Sequence, residues 1–164
     1  MVQFQHLKIF HLTNRKQHMK KSILLSLIVV LFNLGSTAQQ WQSNLEQAKK
    51  MASKEDKQII LVFQGSDWCA PCMKLEREIW SSQEFIVYAD KHFIMVKVDF
   101  PRKKKNQLSK EQETINNKLA EKFNPQGYFP MVVLLNKDEE VLGETGYKKM
   151  SPDEYIEHLK SFIQ

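Results

Sequence analysis

Cysteine occurs twice in this chain, in the run Trp68-Cys69-Ala70-Pro71-Cys72. A cross-link closing so few residues removes little entropy from the unfolded chain, roughly 2 kcal/mol against about 4.7 for a loop of 100 residues, so the pair is a poor staple. The spacing suits exchange better. Two sulfurs one helical turn apart can pass a disulfide between themselves and a partner through a mixed disulfide, one thiolate attacking and the other resolving. The pattern implies thiol-disulfide chemistry. A C-x-x-C pair is also half of a zinc site, but the remaining ligands would come from His92, His158 or carboxylates, and neither histidine stands at ligand spacing. A copper or zinc carrier using both thiolates, with Met73 or Met131 nearby, is the rival class.

Such a pair needs a compartment in which disulfides persist, and the N-terminus bears on that. From Met19 the chain reads Lys20-Lys21, an apolar run from Ile23 to Leu34, and Gly35-Ser36-Thr37-Ala38. A basic start, an apolar core of about a dozen residues and small residues before a cut describe a secretory signal, short of the roughly 20 residues of a membrane span. We expect a signal peptide over residues 1–38, with its true start at Met19, and a working domain over 39–164. An uncleaved membrane anchor is the alternative. No cysteine follows the apolar run, so a lipid-anchored product is not indicated.

The leader also explains the charge. The chain carries 24 basic and 19 acidic residues, and five of the basic ones (Lys8, Arg15, Lys16, Lys20 and Lys21) precede Gln39 with no acidic residue among them. Residues 39–164 are therefore neutral overall, which does not suggest a nucleic-acid partner. Export implies a periplasmic or otherwise extracytoplasmic location, with no stable membrane insertion after processing.

The elements that must position the cysteines follow from periodicity. Ser43-x-x-Glu46 reads as a capping box, and Leu45, Ala48 and Ala52 predict a helix over 43–53. Ile59 to Phe63 is an apolar run expected of a strand buried on both faces. Gly65-Ser66-Asp67 turns the chain into a helix that starts near Cys69 and runs through Leu75 and Ile79. Ser81-x-x-Glu84 restarts a helix carrying Phe85, Ile86 and Ala89, and Phe93 to Asp99 is the next strand. After the polar stretch 101–107, Ser109-x-x-Gln112 opens a helix with Ile115, Leu119 and Phe123 as its buried stripe. Met131 to Leu135 and 140–144 form a hairpin. Ser151-Pro152-Asp153-Glu154 opens a last helix whose Tyr155, Ile156, Leu159, Phe162 and Ile163 face the core. The order α-β-α-β-α-β-β-α implies an α/β domain: a mixed sheet with helices on both faces and a C-terminal β-hairpin plus helix.

This order, with Trp68-Cys69-Ala70-Pro71-Cys72 at a strand-to-helix turn and Phe129-Pro130 before a strand, resembles the thioredoxin superfamily over most of residues 43–164. Gly65-Ser66-Asp67-Trp68-Cys69, Val98-Asp99-Phe100-Pro101 and Gly146-Tyr147 are similar to its exported bacterial members. The resemblance implies Cys69 as nucleophile, Cys72 as the buried resolving thiol, Trp68, Ala70 and Pro71 as active-site support, and a cis bond before Pro130. It places Phe129 and Met131 beside the substrate groove, and it implies no cofactor and no metal. The family's buried aspartate, six residues before the nucleophile, is replaced by Phe63, so Glu76, one turn after Cys72, is the candidate proton acceptor, against an ordinary solvated glutamate.

Ala70-Pro71 is closer to the Gly-Pro of reducing thioredoxins than to the His-containing pairs of strong oxidants. The function expected is an exported reductase or isomerase of protein disulfides, with exported proteins as substrates and a membrane thiol relay as electron donor. A dedicated reductant of apocytochrome cysteines is the second enzyme reading.

Overall fold

Each apolar run between polar turns becomes a strand of one sheet. The computed structural model describes residues 39–163, so the proposed signal peptide over 1–38 lies outside the described residues. In chain order the elements are β1 (Trp41–Gln42), α1 (Leu45–Glu55), β2 (Gln58–Gln64), α2 (Ala70–Leu75), α3 (Gln83–His92), β3 (Phe93–Asp99), α4 (Lys110–Phe123), β4 (Met131–Leu135), β5 (Val141–Thr145) and α5 (Pro152–Lys160). The sheet order is β1-β3-β2-β4-β5. β2 and β3 run parallel in the register Phe63 to Val98, whereas β4 is antiparallel to both β2 and β5. The fold is the expected thioredoxin-like one, extended by an edge strand: β1 pairs two residues with β3, too short a stretch to carry a period.

The two faces of the sheet bury two cores. Ile60, Val62, Met95, Val132 and Leu134 face Leu75, Ile79, Trp80, Phe85, Tyr155 and Leu159. Ile59, Leu61, Phe63, Val96, Val98 and Val133 face Leu45, Ala48, Ala52 and Phe123 on the other side. Strand alternation thus assigns α2, α3 and α5 to one face and α1 and α4 to the other.

Several helix starts are shifted from expectation. The first helix is capped by Asn44, whose side chain accepts the Gln47 N–H, rather than by Ser43. The third is capped by Ser82 in place of Ser81. In both pairs the residue next to the helix has the extended backbone that a cap requires. After Leu75 the cysteine helix widens into a π-turn over Glu76–Trp80, closed by Ser81 N–H to the Glu76 carbonyl at 2.9 Å. The wider turn turns both Ile79 and Trp80 into the core. On α4 the expected stripe is only half-buried at Ile115 and Leu119, while Asn116 is fully enclosed and donates to the Asp99 carbonyl at 2.8 Å. Ile163 lies past the end of α5 and is exposed.

The C-terminal helix reaches the site indirectly. It starts where expected, at Ser151, and the start is a capping box formed with Glu154. Tyr155 is fully buried against Trp80 and donates its hydroxyl to the Gly146 carbonyl at 2.9 Å. Gly146 in turn lies so close to the Pro130 carbonyl that an added Cβ would meet it at 2.9 Å. Replacing Tyr155 with phenylalanine keeps the ring and leaves that carbonyl unpaired, so urea unfolding should show a loss of about 1 to 3 kcal/mol. An unchanged midpoint would mean that the bond does not hold the turn.

Candidate active site

The cysteine pair is built by the turn that ends β2. The Gly65 carbonyl accepts the N–H groups of Trp68 and Cys69, at 3.2 and 2.9 Å, which closes the turn. Cys69 is the N-cap of α2, with extended backbone, and its sulfur accepts the Cys72 N–H at 3.2 Å. Pro71 sits in the first helical turn, where its missing N–H loses no bond. The two Cα atoms are 5.2 Å apart and the sulfurs are joined as a disulfide. In this oxidised form each cysteine is only 4% exposed, so burial does not separate them and their helix positions do.

A second loop is locked against the first. Asp99, at the end of β3, accepts the backbone N–H of Ser66 at 2.8 Å and its hydroxyl at 2.6 Å. Asp67 accepts the N–H groups of Arg102 and Lys103 and the amide of Asn106, each at 2.9 Å. These bonds, that of the Arg102 N–H foremost, hold the Asp67 carboxyl below the usual carboxylate range. Trp68 donates its indole N–H to the Phe100 carbonyl at 2.7 Å and carries the Arg102 guanidinium over its ring at 3.8 Å. Trp68 is therefore fixed between the cysteine turn and the loop after β3.

Phe129-Pro130 is a cis bond, as the resemblance implied. The Phe129 ring packs edge-on against Trp68 at 5.4 Å and against Phe100 at 5.5 Å. Met131 pairs in register with Phe63 and is 9% exposed, in the same core layer as Phe63. Asn124 fixes the approach to this segment, its side chain accepting the Tyr128 N–H and donating to the Tyr128 carbonyl.

Beside Cys72 lies a cleft of about 390 Å3, lined in part by Gln64, Glu76 and Lys97. Glu76 and Lys97 approach to 3.5 Å, and Lys97 also lies 4.4 Å from the centre of the Trp41 ring. Phe63, one position earlier than Gln64, faces the opposite core. The side chain of β2 that looks toward the cysteine helix is thus Gln64, a buried polar residue at 4% exposure. Sequence reasoning passed over it. Continuing the alternation Ile60, Val62, Gln64 would have found it, had the face carrying the cysteine helix been known.

The thioredoxin-like family profile matches residues 40–137, more than half of the chain, and the chain belongs to that family. It is 34% identical over 125 residues to the disulfide bond reductase DsbH of Chlamydia pneumoniae, covering 76% of this chain and 73% of that protein. A solved DsbH oxidoreductase superposes with a TM-score of 0.71 at 31% identity, covering 80% of this chain and 92% of the other. A disulphide isomerase from Xylella fastidiosa Temecula1 shares the fold at a TM-score of 0.55 and 23% identity, over 73% of this chain and 88% of that one. With its Cys69–Cys72 pair, this protein is a thiol-disulfide oxidoreductase.

Gly65 tests how tightly the site is built. A Cβ there would lie 2.2 Å from the Trp68 indole, so the ring must leave its place. Gly65→Ala should destabilise the protein by about 1 to 3 kcal/mol and shift tryptophan emission as the Phe100 bond is lost. Wild-type emission and unfolding midpoint would show that the contact does not fix Trp68.

Proposed function

We propose that the protein is an exported reductase of protein disulfides, with Cys69 as the attacking thiol and Cys72 as the resolving one. The observation that carries this reading is the placement of Cys69 as the cap of α2, its sulfur accepting a helix N–H. In the reduced protein the same amides and the helix dipole favour a thiolate there. The printed activity of the DsbH relative, a disulfide bond reductase, supports the direction.

The reaction follows from the two positions. The Cys69 thiolate attacks one sulfur of a substrate disulfide, and the other substrate sulfur leaves with the bonding electron pair and takes up a proton. Cys72 then loses its proton and attacks Cys69, breaking the mixed disulfide and releasing the second substrate thiol. Two electrons have passed to the substrate, and the Cys69–Cys72 disulfide is the product state. Glu76 takes the Cys72 proton in this account: it lines the cleft beside Cys72, and its carboxylate lies 3.5 Å from the Lys97 ammonium. Trp68 shields the pair, Ala70 and Pro71 set the helix start, and Pro130 with Phe129 and Met131 forms the edge along which the substrate chain lies.

Cleavage of the signal peptide over 1–38 would place the domain outside the cytoplasm, where a membrane thiol relay must return it to the reduced form. Among the described residues no helix is long and apolar enough to cross a membrane.

Trapping tests the order of attack. Cys72→Ser should accumulate mixed disulfides through Cys69, seen as reductant-sensitive bands on gels of exported proteins, whereas Cys69→Ser should trap almost none. Disulfide reductase turnover by Cys69→Ser would overturn the assignment.

A further inference from the structure

The strip Arg102-Lys103-Lys104-Lys105 is fixed beside the cysteines. Residues 39–164 are neutral overall, yet four of their cations are consecutive at this point. All four are exposed. Among the described residues none of the four forms an ion pair. The nearby carboxylates Asp67 and Asp99 accept from the loop's own N–H groups, Asn106 and Ser66 and form no ion pair with the strip, although Asp67 feels the charge of Lys103. Four cations against these two carboxylates leave the strip with a net positive charge.

A solvated loop would hold such charges at random, but this one is anchored at its start and end. Asp67, two residues before Cys69, binds the N–H groups of Arg102 and Lys103 and the side chain of Asn106, which closes a 3-10 turn over Lys104–Asn106. The Arg102 guanidinium carbon lies 3.8 Å from the centre of the ring of Trp68, the residue adjoining Cys69. Held there without an ion pair, the guanidinium offers a carboxylate the fork of N–H donors that arginine provides. The turn that presents Cys69 thus also sets the position of the strip.

We propose that Arg102 to Lys105 dock an acidic segment of the substrate polypeptide next to the disulfide under attack. The proposal rests on the reductase reading and names its substrate class. A substrate chain crossing Cys69 advances about 3.3 Å per residue, so a carboxylate a few residues from the target cysteine comes over Arg102 while its disulfide meets Cys69. At low ionic strength, where the screening length exceeds about 10 Å, the same field speeds encounter with acidic partners.

The test compares two synthetic peptide disulfides of one sequence, one with glutamates flanking the disulfide and one with glutamines in their place, reduced by the full chain in stopped flow. The wild-type protein should reduce the glutamate peptide about tenfold faster than the glutamine peptide in low salt, and the ratio should approach one near 1 M salt, where the screening length is about 3 Å. The ratio measured for R102Q/K103Q/K104Q/K105Q should fall most of the way to one, and that for K103R/K104R/K105R, which keeps all four charges, should stay high. Equal wild-type rates for the two peptides in low salt, or a full preference in the glutamine variant, would overturn the docking role and leave the reductase reading standing. Failure to reduce either peptide would remove the reductase reading, and this proposal with it. The wild-type salt dependence decides the matter even if a variant folds poorly.

Discussion

The sulfur of Cys69 accepting the N–H of Cys72 is the interaction on which the site depends. It makes the cysteine itself the cap of its helix, so the group that would ordinarily be a serine or aspartate side chain is here the thiol proposed as the nucleophile. The start of α2 must then be held firmly, because a frayed first turn would release the sulfur from the amides that favour its charged form. The rest of the neighbourhood is arranged to that end. The Gly65 carbonyl closes the turn, Pro71 fixes the first helical residues, and the buried Leu75, Ile79 and Trp80 pin the helix and its π-turn to the sheet.

Parallel pairing explains why two loops meet at the cysteines. β2 and β3 end side by side, with Gln64 opposite Asp99, so the turn before Cys69 and the loop after β3 leave the sheet at the same edge. In open α/β sheets this edge, beyond the carboxyl ends of the strands, is where sites assemble. Asp67 and Asp99 join the two loops by accepting the backbone N–H groups of Arg102, Lys103 and Ser66, and Trp68 completes the seam. The cis Phe129-Pro130 segment enters from the antiparallel strand β4 and is backed by Gly146, which Tyr155 holds from below.

The fold and the cysteine pair were largely legible because both rest on local pattern. Apolar runs bounded by Gly, Pro and Asn gave β2, β3 and β4 within a residue, and the caps at Ser109 and Ser151 marked their helices correctly. Where two candidate caps stood together, at Ser43-Asn44 and Ser81-Ser82, composition could not choose, since the choice belongs to the backbone angle. The two-residue β1 is defined by its partner β3 and carries no signal of its own. Non-local contacts were the other blind spot. Nothing in the sequence ties Asp67 to Arg102, or tells which side of β2 faces the cysteine helix. The family pattern pointed to Phe63 as the replacement for an acidic group, and the sheet faces show Gln64 beside Cys72 instead.

The direction of electron flow is the central claim, and the equilibrium between the dithiol and glutathione measures it most directly. A capped Cys69 with Ala70-Pro71 behind it, and no histidine between the cysteines to stabilise the reduced form further, predicts a couple nearer to thioredoxin, at about −270 mV, than to the strong oxidant DsbA, at about −120 mV. A potential below about −200 mV would agree with a reductase that needs an external supply of electrons. A value near −120 mV would contradict it, and would make the protein a donor of disulfides.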